Sequence, residues 1–140
     1  MIIGDRAQLV EVVINLVQNA IEALDIPDNE DRRVRIDTHR YGNNSVILTV
    51  EDSGPGIIST KLNTVFDAFV TTKPRGMGLG LAICRMIVER HSGSISVAQG
   101  DPHGTAFRVI LPITSASDRC AVTRSWGHSR QFWHVRAMSA

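Results

Sequence analysis

The spacing of apolar residues changes period along this chain, and that restricts the fold more than any other feature. Leu9, Val12, Val13, Leu16, Val17, Ala20 and Leu24 recur at steps of three and four, the repeat of one helix face. Asp5, followed three residues later by Gln8, has the form of a capping box. The spacing therefore predicts a helix over Arg6–Leu24, stopped by Asp25-Ile26-Pro27-Asp28-Asn29. Val34–Thr38 and Val46–Val50 then alternate with period two and are rich in β-branched residues. Joined through Tyr41-Gly42-Asn43-Asn44, they predict a β-hairpin. Ser59 is expected to cap a short helix through Phe66, and Phe69 to Gly80 reads as a glycine-rich loop. A helical repeat returns over Leu81–Arg90, stopped by Ser92-Gly93. Two further strands, Ser94–Ala98 and Thr105–Leu111, flank a turn at Gln99–Gly104. This order is not a regular βαβ alternation. It predicts an α+β fold, with helices on one face of a mixed, largely antiparallel sheet.

With 140 residues and 43% hydrophobic content, the chain has enough apolar material for one small core. Its formal net charge of +1 excludes nucleic-acid or anionic-membrane binding through bulk positive charge. An aromatic content of 5% argues against a stacking platform for single strands. No apolar run is long enough to span a bilayer, and Met1-Ile2-Ile3-Gly4-Asp5 has no secretory-signal pattern. Cys84 and Cys120 form neither a metal pattern nor a disulfide framework. These features predict a cytoplasmic protein without direct membrane insertion and without a nucleic-acid partner. Cys84, flanked by Ile83, Ile87 and Val88, reads as core.

The charge average hides a seam. Residues 1–112 carry 11 basic and 13 acidic side chains, whereas 113–140 carry Arg119, Arg124, Arg130 and Arg136 against Asp118 alone. Both tryptophans, Trp126 and Trp133, lie in that later stretch. A domain boundary is therefore placed after Pro112. The remainder is expected to be a disordered extension, with a docking peptide built on Trp126, Phe132 and Trp133 as the other reading.

Three segments point to chemistry. In Asn15–Ala23, Asn15, Asn19 and Glu22 share one helix stripe, distinct from the apolar one. Two Asn in an apolar helix cost stability unless a buried hydrogen bond or a ligand offsets it. An amide oxygen suits Mg²⁺ carrying phosphates and water. Asp52-Ser53-Gly54-Pro55-Gly56 places a carboxylate where a strand meets a turn, able to accept from an exocyclic amine. Gly54 and Gly56 would let backbone approach a flat ring. Gly76-Met77-Gly78-Leu79-Gly80-Leu81 opens a helix, where amides and the helix terminus favour an anion. It matches neither a P-loop nor a dinucleotide-binding turn.

In this order the segments resemble a known family, the sensor histidine kinases. Asn15–Ala23 resembles their N box, and Asp52–Gly56 their first glycine box. Val65-Phe66-Asp67-Ala68-Phe69 resembles the F box, Gly76–Leu81 the second glycine box, and Gly104-Thr105-Ala106-Phe107 the closing Gly-Thr strand. Phe69–Pro74 through Met86–Glu89 is especially similar to kinases of oxygen- and nitrogen-sensing type. The likeness covers roughly Gly4 to Pro112.

The resemblance implies a two-layer α/β sandwich of Bergerat type, with ATP and Mg²⁺ as cofactors. It implies that Asn19 coordinates Mg²⁺, that Asn15 supports the same phosphate end, and that Asp52 binds the adenine amine beside Thr105. Gly54 and Gly56 would line the base. Gly76, Gly78, Leu79 and Gly80 would lie by the phosphates, within a lid over Thr71–Gly80. Lys73 and Arg75 are candidates for phosphate neutralisation, since many relatives carry a Lys where Glu22 stands here; exposed lid charges are the alternative. Phe66 and Phe69 are expected to anchor the lid.

The implied reaction is transfer of the ATP γ-phosphoryl group to a histidine on a separate dimerisation domain, for relay to a response regulator. Such transfer rests on positioning and charge neutralisation. None of the five histidines follows an acceptor pattern. The chain is therefore expected to be a catalytic portion whose partners are that dimerisation domain and the regulator. A nucleotide-binding module without independent kinase activity is the main alternative. An ATP hydrolase of the same superfamily is disfavoured, because Asn15 stands where those enzymes place a general-base Glu.

Overall fold

The computed structural model describes residues 2, 4–25, 32–70, 77–100 and 103–113. Within them run α1 (Arg6–Ala23), β1 (Val34–Tyr41), β2 (Ser45–Asp52), α2 (Gly80–Arg90), β3 (Ser94–Gln99) and β4 (Thr105–Pro112). All but Ile113 of the expected tail, 113–140, and the lid residues 71–76 lie outside the described residues.

The sheet has the order β1-β2-β4-β3, and every pairing in it is antiparallel. Both helices pack on one face, α1 against β2 and α2 against β3, and they also contact each other. Val12, Leu16 and Ala20 of α1 meet Cys84, Ile87 and Val88 of α2 over Val50, Phe107, Val109 and Leu111 of the sheet. The helical period aims three successive turns of α1 into that layer, and the strand period supplies every second residue from below. Burying each large aliphatic side chain there contributes about 1.5–3 kcal/mol. The expected α+β sandwich is therefore present.

Local chemistry extends two elements and shortens one. Gly42, at φ +62°, turns the hairpin, so pairing continues from Val34↔Asp52 out to Tyr41↔Ser45, beyond the strand ends expected from alternation. The helix expected from Ser59 through Phe66 is a 3₁₀ turn, Ser59–Lys61. Its capping position is Ile58, with no side-chain cap, so Ser59 is not the cap. Turn bonds of the i→i−3 kind then follow, from Thr64 N–H to Lys61 O and Asp67 N–H to Thr64 O. Such turns carry the chain without the i→i−4 ladder of an α-helix.

Candidate functional site

Asp52 is the last residue of β2 and faces Thr105, the first of β4, across the sheet. Its side chain is buried, 4% exposed. Oδ1 accepts from the Gly54 backbone N–H at 2.9 Å and from the Thr105 N–H at 3.3 Å. The Thr105 side chain also hydrogen-bonds this carboxylate. Burial nevertheless dominates, raising the carboxyl above its ordinary value of 3.8. The amides of Gly54 and Thr105 oppose that shift, and the Glu51 charge adds to it. A carboxylate fixed by two backbone donors is a preset acceptor for a ligand's amine.

Glycines let three backbone segments converge on Asp52. A methyl group on Gly54 would sit 2.9 Å from the Ala23 carbonyl oxygen and 2.9 Å from Asp52 Oδ1. The bare backbone there brings the C-terminal end of α1 up to the Asp52 turn. Gly104 lies at φ +100°, and a Cβ there would overlap the Asp52 carbonyl oxygen. A residue with a side chain fits neither the conformation nor the space. Gly56, at φ +77°, faces the Gly104 carbonyl oxygen. Gly104 thus positions Asp52, a role that its place in the Gly-Thr strand motif did not specify.

The amide stripe of α1 leads from this point to the start of α2. Ala23 abuts Gly54, Asn19 lies one turn earlier, and Asn15 one turn earlier again. Asn15 Oδ1 lies 3.7 Å from where a Cβ on Gly80 would stand. The Asn15 side chain partly offsets the burial that raises the Cys84 thiol. From Ala23 to Asn15 the helix rises about 12 Å. Both amides are half-buried, and Glu22 is exposed.

Gly78 and Leu79 precede α2, and Leu79 occupies its N-cap position. The Gly78 carbonyl accepts from the Phe69 N–H at 2.9 Å, and both residues have φ near +66°. Phe66 packs edge-to-face on Phe107, with centroids 6.2 Å apart. Phe69, by contrast, is 76% exposed and is tied by its backbone rather than its ring. Lys73, Arg75 and Gly76 lie outside the described residues.

Beside Asp52 opens a cavity of about 650 Å³ that also meets Arg32, Arg33, Arg35, Ser53 and His103. Neither Asn15, Asn19 nor Gly80 lines it. Among the described residues no group of three or more His, Cys, Asp or Glu could hold a metal. One amide oxygen, such as an Asn19 side chain supplies, nonetheless suits Mg²⁺, which takes its other ligands from phosphates and water. No helix among the described residues is long and apolar enough to cross a membrane.

Comparison with known proteins places this geometry. Residues 4–115 match the family model for histidine kinase-, DNA gyrase B- and HSP90-like ATPases. The chain is 39% identical over 114 residues to the sensor histidine kinase TmoS of Ectopseudomonas mendocina, covering 81% of this chain and 12% of that protein. It is 43% identical over 109 residues to the C4-dicarboxylate transport sensor protein DctB of Rhizobium meliloti, covering 78% and 17%. The nucleotide-free catalytic domain of histidine kinase ThkA superposes with a TM-score of 0.69 at 36% identity, covering 80% of this chain and 71% of that one. Full-length ShkA in complex with AMPPNP gives 0.67 at 27%, covering 80% and 23%. This chain thus spans less than a fifth of either curated relative. With its two-layer sandwich and its boxes in register, the chain belongs to the histidine kinase-, DNA gyrase B- and HSP90-like ATPase family, in the sensor histidine kinase branch.

Proposed function

We propose that residues 1–112 form the ATP-binding catalytic portion of a two-component sensor histidine kinase. In this reading the γ-phosphoryl group passes to a histidine on a separate dimerisation domain, for relay to a response regulator. The observation that carries it is the buried Asp52 carboxylate, held by the Gly54 and Thr105 amides at the end of a sheet that α1 links to the start of α2. Asp52 accepts the adenine amine, with Thr105, Gly54 and Gly56 around the base. The rise of about 12 Å from Ala23 to Asn15 suits a nucleotide laid with its base at Asp52 and its phosphates at Gly78, Leu79 and Gly80. Asn19 holds Mg²⁺ on the phosphates; Lys73 and Gly76 complete the phosphate end. The bound metal would neutralise developing phosphate charge, and the chain's own groups would position the nucleotide.

Isothermal titration with ATP and Mg²⁺, on the wild type, Asp52→Ala and Asn19→Ala, tests the site. Tight binding by the wild type and loss of about tenfold or more in each variant is expected. Wild-type silence would remove the nucleotide reading. Radiolabelled transfer to a separately supplied acceptor-histidine domain tests the reaction. Binding without transfer would leave a nucleotide-binding module.

A further inference from the structure

We propose that the free edge of β1 and the adjoining flank of α1 form a self-complementary surface for a second copy of this chain, with β1 pairing antiparallel to β1 about Ile36. Among the described strands β1 is the outermost on its side of the sheet. The Arg33 carbonyl accepts from the Ser53 N–H at 3.1 Å, in register with Val34↔Asp52. Backbone groups alternate in direction along an antiparallel ladder. The N–H and C=O of Val34, Ile36, Thr38 and Arg40 therefore point away from β2, as a template for another strand.

Apolar surface adjoins that edge. Ile36 stands opposite Val50, a core residue, so it lies on the helix side of the sheet, yet it is 52% exposed. α2 flanks α1 on one side, where the Cys84 thiol donates to the Val12 carbonyl oxygen at 3.9 Å. By the helical repeat, Val10, Ile14, Val17 and Ile21 lie on the other side of α1. Their steps of four, three and four are the seam spacing of paired helices. Val10, Ile14 and Ile21 are exposed. α1 packs over β2 and β1. Pairing β1 with β1 at a strand spacing of about 4.8 Å brings the two α1 helices to about 10–14 Å, stripe facing stripe.

Charge selects the register. Charged side chains on an edge ordinarily discourage pairing, but here they alternate in sign about Ile36. With Ile36 on the two-fold axis, Val34 lies opposite Thr38, and each Arg35 opposite the second copy's Asp37. Arg35 also faces Glu51 within its own sheet, so it stands between two acids. Centring the pair on Asp37 would oppose two carboxylates, and centring it on Thr38 would set Ile36 against Arg40. One axis thus satisfies backbone, charge and apolar stripe together, as an isologous interface requires.

Sedimentation equilibrium of the full chain, from about 5 to about 500 μM, tests this. A reversible monomer–dimer equilibrium is expected. Ile36→Asp and Ile21→Glu should each raise the dimer dissociation constant about tenfold or more, with circular dichroism unchanged. Arg35→Asp should do the same by opposing two carboxylates, and adding Asp37→Arg should restore wild-type association. The charge swap leaves the core untouched, so it decides the matter if an isoleucine variant fails to fold. A monomer throughout that range would overturn the proposal. So would a dimer indifferent to Ile36→Asp, or a double variant that associates as weakly as Arg35→Asp alone.

Discussion

The backbone N–H of Asp5 donates to Nε2 of His91 at 2.9 Å, across 86 residues of chain. His91 Nδ1 lies 2.7 Å from the Ile87 carbonyl oxygen. A carbonyl can only accept, so Nδ1 carries the proton and Nε2 is the acceptor, an assignment drawn from the network. One neutral imidazole thus joins the start of α1 to the end of α2. The Asp5 side chain caps α1 through the amides of Ala7 and Gln8. The other half of the expected capping box, a reach back from Gln8, is replaced by a histidine on the second helix.

His91→Ala should therefore lower stability by about 1–2 kcal/mol, one to two net hydrogen bonds. Amide exchange should rise selectively at Asp5 and in the first turn of α1. Hydrogen-exchange mass spectrometry on the amino-terminal peptide checks this. Uniform loosening of the whole chain would argue against the clasp.

Asp52→Asn separates binding from stability. Asn keeps an oxygen for the Gly54 and Thr105 amides and removes a charge that burial disfavours. Because the folded-state value is raised, the ionisation cost is fully present above it and vanishes as pH falls below the unfolded value near 3.8. At pH 7 the variant should be as stable as the wild type or more so. That advantage should shrink to nothing below about pH 4. ATP affinity should fall about tenfold or more. Thermal melts over the pH range, beside titration calorimetry, read both.

Gly104→Ala should be severe. The backbone conformation alone costs about 1–3 kcal/mol for a residue with a side chain. The new methyl would also meet the Asp52 carbonyl oxygen. Lower unfolding temperature together with weakened ATP binding is expected, since the same contact positions the carboxylate. Differential scanning fluorimetry with and without nucleotide measures the two effects.

Cys84 should be chemically silent in the native state. Burial pushes its thiol up to about 11, so little thiolate exists at neutral pH. In a Cys120→Ser background, the remaining thiol should not react with Ellman's reagent until denaturant is added. Stability should begin to fall only as pH rises above the unfolded value of 9.0, towards 11.

Much of the site was legible because its residues carry local signals. Asp52 stands at a strand-to-turn junction, and Asn15 and Asn19 recur at helical spacing among apolar neighbours. Thr105 and Gly104 stood out only through the resemblance of Gly104–Phe107 to the closing Gly-Thr strand, since a turn before a strand is locally ordinary. Their roles arise only when β4 pairs with β2 and brings Thr105 opposite Asp52. Phe66 and Phe69 read alike in sequence. Packing separated them, half-burying one ring against Phe107 and leaving the other exposed.

By itself, then, the sequence determined the two long helices, the four strands and the hairpin turn, while the helix expected from Ser59 is a 3₁₀ turn. Period, capping and turn chemistry act over a few residues and need no distant partner. Tertiary structure alone decided the antiparallel order β1-β2-β4-β3, the clasp of Asp5 by His91 and the bond from the Cys84 thiol to the Val12 carbonyl. Each of these joins groups far apart in the chain. Whether such groups meet depends on how the helices and sheet bury their apolar faces together, which no local pattern encodes.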